Sequence, residues 1–162
     1  MREKLEAVFD FENLAGLGPE RRDSAMSIDA VMAAVEDESE LIQSAALLWH
    51  DHLDESHTLS QDISNNNGSF LHGIMHRREP DYSNAKYWFN RVGSHDVFPD
   101  ILNRAKAILT GTSLAHLIKS EWDSFAMVDA VSRAKVDSKE YALLQQVQAI
   151  EVESILRPLI PD

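Results

Sequence analysis

Apolar residues recur every three or four positions almost from end to end of this chain, and that period restricts the fold more than any other feature of the sequence. Leu5, Val8 and Phe9 begin it; Ile28, Val31, Met32 and Val35 continue it after Ser27, a residue type that caps helices. Leu41, Ile42, Ala45, Trp49 and Leu53 then mark a buried stripe on a helix expected to run to about Ile63. Asn65-Asn66-Asn67-Gly68 reads as a turn, followed by a short helix from Ser69 to Arg78 that Pro80 stops. Asp81 sits where an N-cap belongs ahead of Tyr82 to Val92, and Gly93 closes that helix. Further stripes run through Ile101 to Leu109, Leu114 to Ile118, Trp122 to Val128 and Leu143 to Ile150. Ser120-x-x-Asp123 and Asp137-x-x-Glu140 open the last two in capping-box fashion.

Nowhere does a two-residue alternation bounded by turns appear, so no strand is expected. The pattern predicts an all-α fold of about seven to nine helices with short loops, in one domain over residues 1–162. A chain of 162 residues is long enough for one real core and short for two. Its longest apolar run, Ala45-Ala46-Leu47-Leu48-Trp49, is far below a membrane span. Met1-Arg2-Glu3-Lys4 leads into no apolar export core, and the absence of cysteine excludes disulfides and thiolate metal sites; a cytoplasmic location is the expectation.

Charge excludes one function class. A net charge of −12 does not suit broad nucleic-acid binding, which needs a basic face. The charge is also unevenly placed. Between Asp23 and His76 there is no Lys or Arg, while Asp51, Asp54, Glu55 and seven other acids fall there; Arg77-Arg78, Lys86 and Arg91 follow at once. Ion pairing between the two blocks is the first expectation, and a small cationic pocket for an anion is the alternative.

Candidate chemistry concentrates at residues 50–91. On a continuous helix His50, Asp54, His57 and Gln61 share one polar stripe. His72, His76 and Glu79 repeat the spacing on the next helix, and Asn84, Trp88 and Arg91, with Tyr87 alongside, repeat it on a third. Short loops would let the three stripes meet in one cavity. His72-x-x-x-His76 places two imidazoles a turn apart, as a divalent metal such as zinc requires, with His57, His50, Asp54 or Glu79 as a third ligand. Without a metal, His57 or His76 would act as general base, oriented by Asp54 or Glu79. Arg77 and Arg78 would then clamp a small anionic ligand, with Asn84 and Tyr87 beside them. The rival expectation is a non-catalytic module that binds a partner protein, its His/Arg network holding helices together. A homodimer with the site at its interface is a third arrangement.

The segments "LDESHTLSQD" and "GSFLHGIMHRREPDYSNAKYWFNRVGSHDVF" resemble those of a group of small uncharacterised helical proteins without an established activity. The resemblance implies helices and supplies no chemistry. More loosely, "NAKYWFNRVG" resembles the second half of a tetratricopeptide-like or Sel1-like repeat. No second copy follows at a period of about 34 to 40 residues, so the resemblance implies one repeat-like helical hairpin, not an array.

Overall fold

The computed structural model describes residues 3–160 and is helical throughout, with no strand among the described residues. Nine α-helices follow in order: α1 Glu3–Val8, α2 Ile28–Ala34, α3 Glu40–Trp49, α4 Leu53–Ser60, α5 Asn66–Arg78, α6 Tyr82–Val92, α7 Phe98–Leu109, α8 Ser124–Arg133 and α9 Lys139–Leu156. Short 3₁₀ turns lie at Ala115–Leu117 and Arg157–Leu159. No helix among the described residues is long and apolar enough to cross a membrane.

Helix ends follow local chemistry. Ser27 Oγ accepts from Ala30 N, and Asp81 Oδ1 accepts from Asn84 N, so both residues cap where the sequence places them. Gly93 ends α6 at φ +64°, a left-handed value that favours glycine. Asn65 is a cap instead of a mere turn residue: its Oδ1 accepts from Gly68 N, and α5 therefore begins at Asn66, three residues before the expected start. The capping-box readings shift as well. Asp123, not Ser120, caps α8 through Ala126 N, and Ser138, not Asp137, caps α9 through Tyr141 N.

The expected long helix from Leu41 to Ile63 is broken. α3 stops at Trp49, Asp51 takes φ +66°, and α4 starts at Leu53. A carboxylate in an uncommon backbone conformation needs compensation, and Asp51 has it. Its buried side chain accepts from Arg22 N and Nε and from Arg78 Nη2, at 2.7 to 2.9 Å.

α5 is the central helix. It packs on α3, α4 and α6, and every residue from Gly68 to Arg78 is buried. Buried apolar side chains from Leu5 to Ile160 form one continuous core around it, with α9 against α7 and α8. α5 and α6 approach closely because Gly73 has no side chain: a Cβ there would stand 2.6 Å from the Phe89 ring. Burial on all sides leaves His72, His76, Arg77 and Arg78 to find partners inside the protein.

Candidate metal centre

The two arginines of α5 find theirs among carboxylates and carbonyls of the chain, with only Nε of Arg77 left without a partner. Arg77 Nη1 and Nη2 donate to the two carboxylate oxygens of Glu151 at 3.2 and 2.6 Å, and Nη2 also reaches Gln148 Oε1 at 3.2 Å. Arg78 donates to Leu48 O at 2.6 Å, to Gly18 O through Nε and Nη2, and to Asp51 at 2.7 Å. Both arginines are fully buried. The expectation that Arg77 and Arg78 clamp an anionic ligand is therefore corrected: carboxylates of the chain itself occupy them. The pairing of the acidic block with the arginines after it does occur, through Asp51 and Arg78. Burial pushes the Asp51 carboxyl up, but hydrogen bonds from Arg22 and the charge of Arg78 outweigh it and hold Asp51 below its ordinary value.

His50 and His52 lie at the α3–α4 break, and their imidazoles are fully bonded. His50 donates from Nε2 to Val8 O at 2.8 Å and accepts from Met26 N at Nδ1. His52 donates from Nε2 to Met26 O at 2.7 Å and accepts from Arg21 Nη2 at Nδ1. These two histidines pin the segment between α1 and α2 to the core. His50 thus leaves the polar stripe expected on a continuous helix. Asp54 stays one turn before His57 on α4 but is exposed, on a surface pocket with Arg21, Glu55 and Glu79.

His57 of α4 and His72 and His76 of α5 do converge. Their ring centroids are 4.7 to 5.3 Å apart, and one ligand nitrogen from each lies within 4.8 Å of the others. His72 and His76 are buried and His57 is half-buried, so the cluster opens to the surface on the α4 side. His76 Nδ1 donates to Glu79 Oε2 at 2.7 Å, which directs the lone pair of Nε2 the other way. Asn84 stands 3.4 Å from the same Nδ1. On the far side of His72 the Trp88 indole stacks flat, with centroids 3.8 Å apart.

His72 differs from every other buried histidine. It is 2% exposed, yet neither Nδ1 nor Nε2 has a hydrogen-bond partner. Burial pushes its pKa down to about 3, with the charges of His76 and His57 acting in the same direction. His72 is therefore neutral at any physiological pH and keeps a lone pair free of proton competition, which is the protonation state a metal needs. Zinc–imidazole bonds of about 2.0–2.1 Å place the nitrogens of a tetrahedral site roughly 3.3 Å apart. The donors are thus at most about 1.5 Å too far apart, within the reach of small ring rotations.

Tyr87, expected beside the ligand, is 54% exposed and meets only the outer edge of Trp88, with Arg91 Nη1 donating to its hydroxyl. Glu151 and Gln148 escaped the sequence reading as partners of Arg77. One signal was present: Glu151 lies four residues after Val147 and between Ile150 and Val152, at the edge of the apolar stripe of α9. Comparison of the chain with protein-family models, with curated proteins and with solved structures gives no match.

Proposed function

We propose that His57, His72 and His76 bind a divalent first-row metal ion, zinc foremost, and that a small anionic ligand occupies the coordination position left over. The carrying observation is the contrast among buried histidines: both ring nitrogens of His50 and His52 are bonded, and neither nitrogen of His72 is. Buried polar atoms without partners are rare in folded proteins, so two on one ring between two other imidazoles point to a missing ligand. A bound zinc ion supplies Lewis acidity and a water acidic enough to act near neutral pH. In that setting Glu79 orients His76 through Nδ1–H, and its partly exposed carboxylate is available as an acid–base group. Hydrolysis or proton transfer on an anionic substrate is the reaction class this suits. A reducing cytoplasm belongs to the same reading, since histidine ligands need no oxidising compartment.

The rival reading, a partner-binding module with a structural His/Arg network, draws support from the internal pairing of Arg77 and Arg78. Elemental analysis separates the two. Untagged protein purified without chelator should carry near-stoichiometric metal, and the His72→Ala/His76→Ala double variant should carry none. Metal-free wild-type protein that also fails to take up added zinc, manganese, iron or nickel would leave the rival standing.

A further inference from the structure

A histidine that ligates a metal is ordinarily oriented by a hydrogen bond from its other ring nitrogen. His76 has such a partner in Glu79. His72 has none at either nitrogen, so no hydrogen bond fixes its ring. Stacking does so instead. The Trp88 indole lies on one face, 16° from parallel with centroids 3.8 Å apart, and the His76 ring lies on the other, 23° from parallel at 4.7 Å. A ring held between two flat neighbours cannot turn about its Cβ–Cγ bond without giving up both stacks. His57 then meets it at 83°, with centroids 4.8 Å apart.

Trp88 holds this place because of the register of α5 against α6. The chain reverses between Arg78 and Tyr82, so a turn back along α5 corresponds to a turn forward along α6. Asn84 stands by His76, and one turn on Trp88 stands on His72, one turn back. The helices approach closely enough for a flat stack because Gly73, next to His72, sets no side chain against the ring of Phe89, next to Trp88. The indole is braced in turn by its own helix. The Arg91 guanidinium lies 5.1 Å from its ring centre, and Tyr87 stands at 90° to it with centroids 5.6 Å apart.

We infer that Trp88 is a positioning residue of the histidine site: it holds His72 in the ring plane from which one of its nitrogens reaches a metal shared with His57 and His76. The inference rests on the metal reading above. A metal also draws electron density from the imidazole it binds, and an electron-poor ring stacks more strongly on the negative face of an indole. Trp88 thus favours the loaded site as well as the orientation of its ligand. Indole does this best, a benzene ring less well, and an aliphatic side chain not at all.

Three measurements test it. In metal-free protein the His72 ring protons, assigned by their absence in His72→Leu, should lie upfield in the shielding region of the indole and return downfield in Trp88→Leu. Zinc titrated against a competing chelator should bind Trp88→Leu about 10–100-fold more weakly than wild type, the range for losing an outer-shell partner, with Trp88→Phe between the two. Cobalt(II), whose visible absorption follows ligand geometry, should give a changed spectrum in Trp88→Leu and a nearly native one in Trp88→Phe. Thermal unfolding in chelator checks that the variants fold; if Trp88→Leu does not, the affinity of Trp88→Phe and the wild-type proton shifts carry the test. Near-stoichiometric zinc held equally tightly by wild type and both variants overturns the role of Trp88 and leaves the metal reading standing. Wild-type protein that takes up no metal overturns both, and unshifted His72 protons overturn the stack before any metal is added.

Discussion

Replacing His72 by leucine should reverse its effect on stability according to whether metal is present. In metal-free protein His72 keeps two polar atoms buried without partners, and such groups cost roughly 1–3 kcal/mol each. Leucine removes that penalty. It fills the space imperfectly against Trp88, at a cost that for near-isosteric swaps stays under about 1.5 kcal/mol. His72→Leu should therefore be as stable as wild type in chelator, or more stable by about 1 kcal/mol, a rise of about 2–4 °C in Tm for a chain of this size. With free zinc at about a thousand times Kd the wild type gains about 4 kcal/mol through binding to the folded state, and the variant gains far less. Urea unfolding of both proteins, with chelator and with excess zinc, measures all four values. A variant destabilised by 2 kcal/mol or more in both conditions would refute the reasoning, since His72 would then be held by contacts of its own.

Three further outcomes follow from the same geometry. Arg78→Ala should cost about 3–5 kcal/mol in urea unfolding, because it leaves Arg22 as the one arginine on the buried Asp51 carboxylate, frees the carbonyls of Leu48 and Gly18 and empties the space of a fully buried side chain; a loss under 1 kcal/mol would show the network to be dispensable. Glu79→Gln should weaken zinc binding about 10–100-fold in competition titrations while leaving the fold intact, since it removes the charged partner of His76 Nδ1; unchanged affinity would separate Glu79 from the site. Metal-free protein should lose stability as pH falls below about 6.5, where the unfolded chain takes up protons that folded His72 refuses until about pH 3. The sign is that of a depressed histidine pKa: the contribution is whole above 6.5 and shrinks by about 1.4 kcal/mol per pH unit below it. His72 alone accounts for about 2 kcal/mol between pH 7 and 5, and His50 and His95, both lowered chiefly by burial, act in the same direction. Unfolding midpoints that do not change over that range would contradict the burial of neutral histidines.

The helices were legible because a 3.6-residue period and side-chain caps are local, and a residue such as Asp81 does the same work in any context. The break after Trp49 was not, since its cause is long-range. Asp51 adopts its left-handed turn because Arg22, upstream, and Arg78, downstream, hold its carboxylate, and a window of sequence around Asp51 contains neither. The same break decides which residues of the expected stripe reach the site. With α4 starting afresh at Leu53, His57 turns toward His72 and His76, while His50 is left behind to bond Val8 and Met26. Spacing along one helix named the pair; only packing between helices chose the third.

The arginines show the same limit from the other side. Adjacent residues on a helix point about 100° apart, so Arg77 and Arg78 face different neighbours: one reaches α9 and the other the α3–α4 break. On the central helix neither could stay charged without a buried carboxylate, and Glu151 and Asp51 are those carboxylates. His76, which presents itself near the surface, is met by Glu79 from its own helix end. Each polar group on that face of α5 thus has a partner of matching chemistry supplied by the chain, except His72. A neutral imidazole asks less than a guanidinium, so the fold tolerates it empty. What it lacks is an acceptor of its lone pair, and with His57 and His76 on hand a divalent cation fits that description better than any group the chain itself provides.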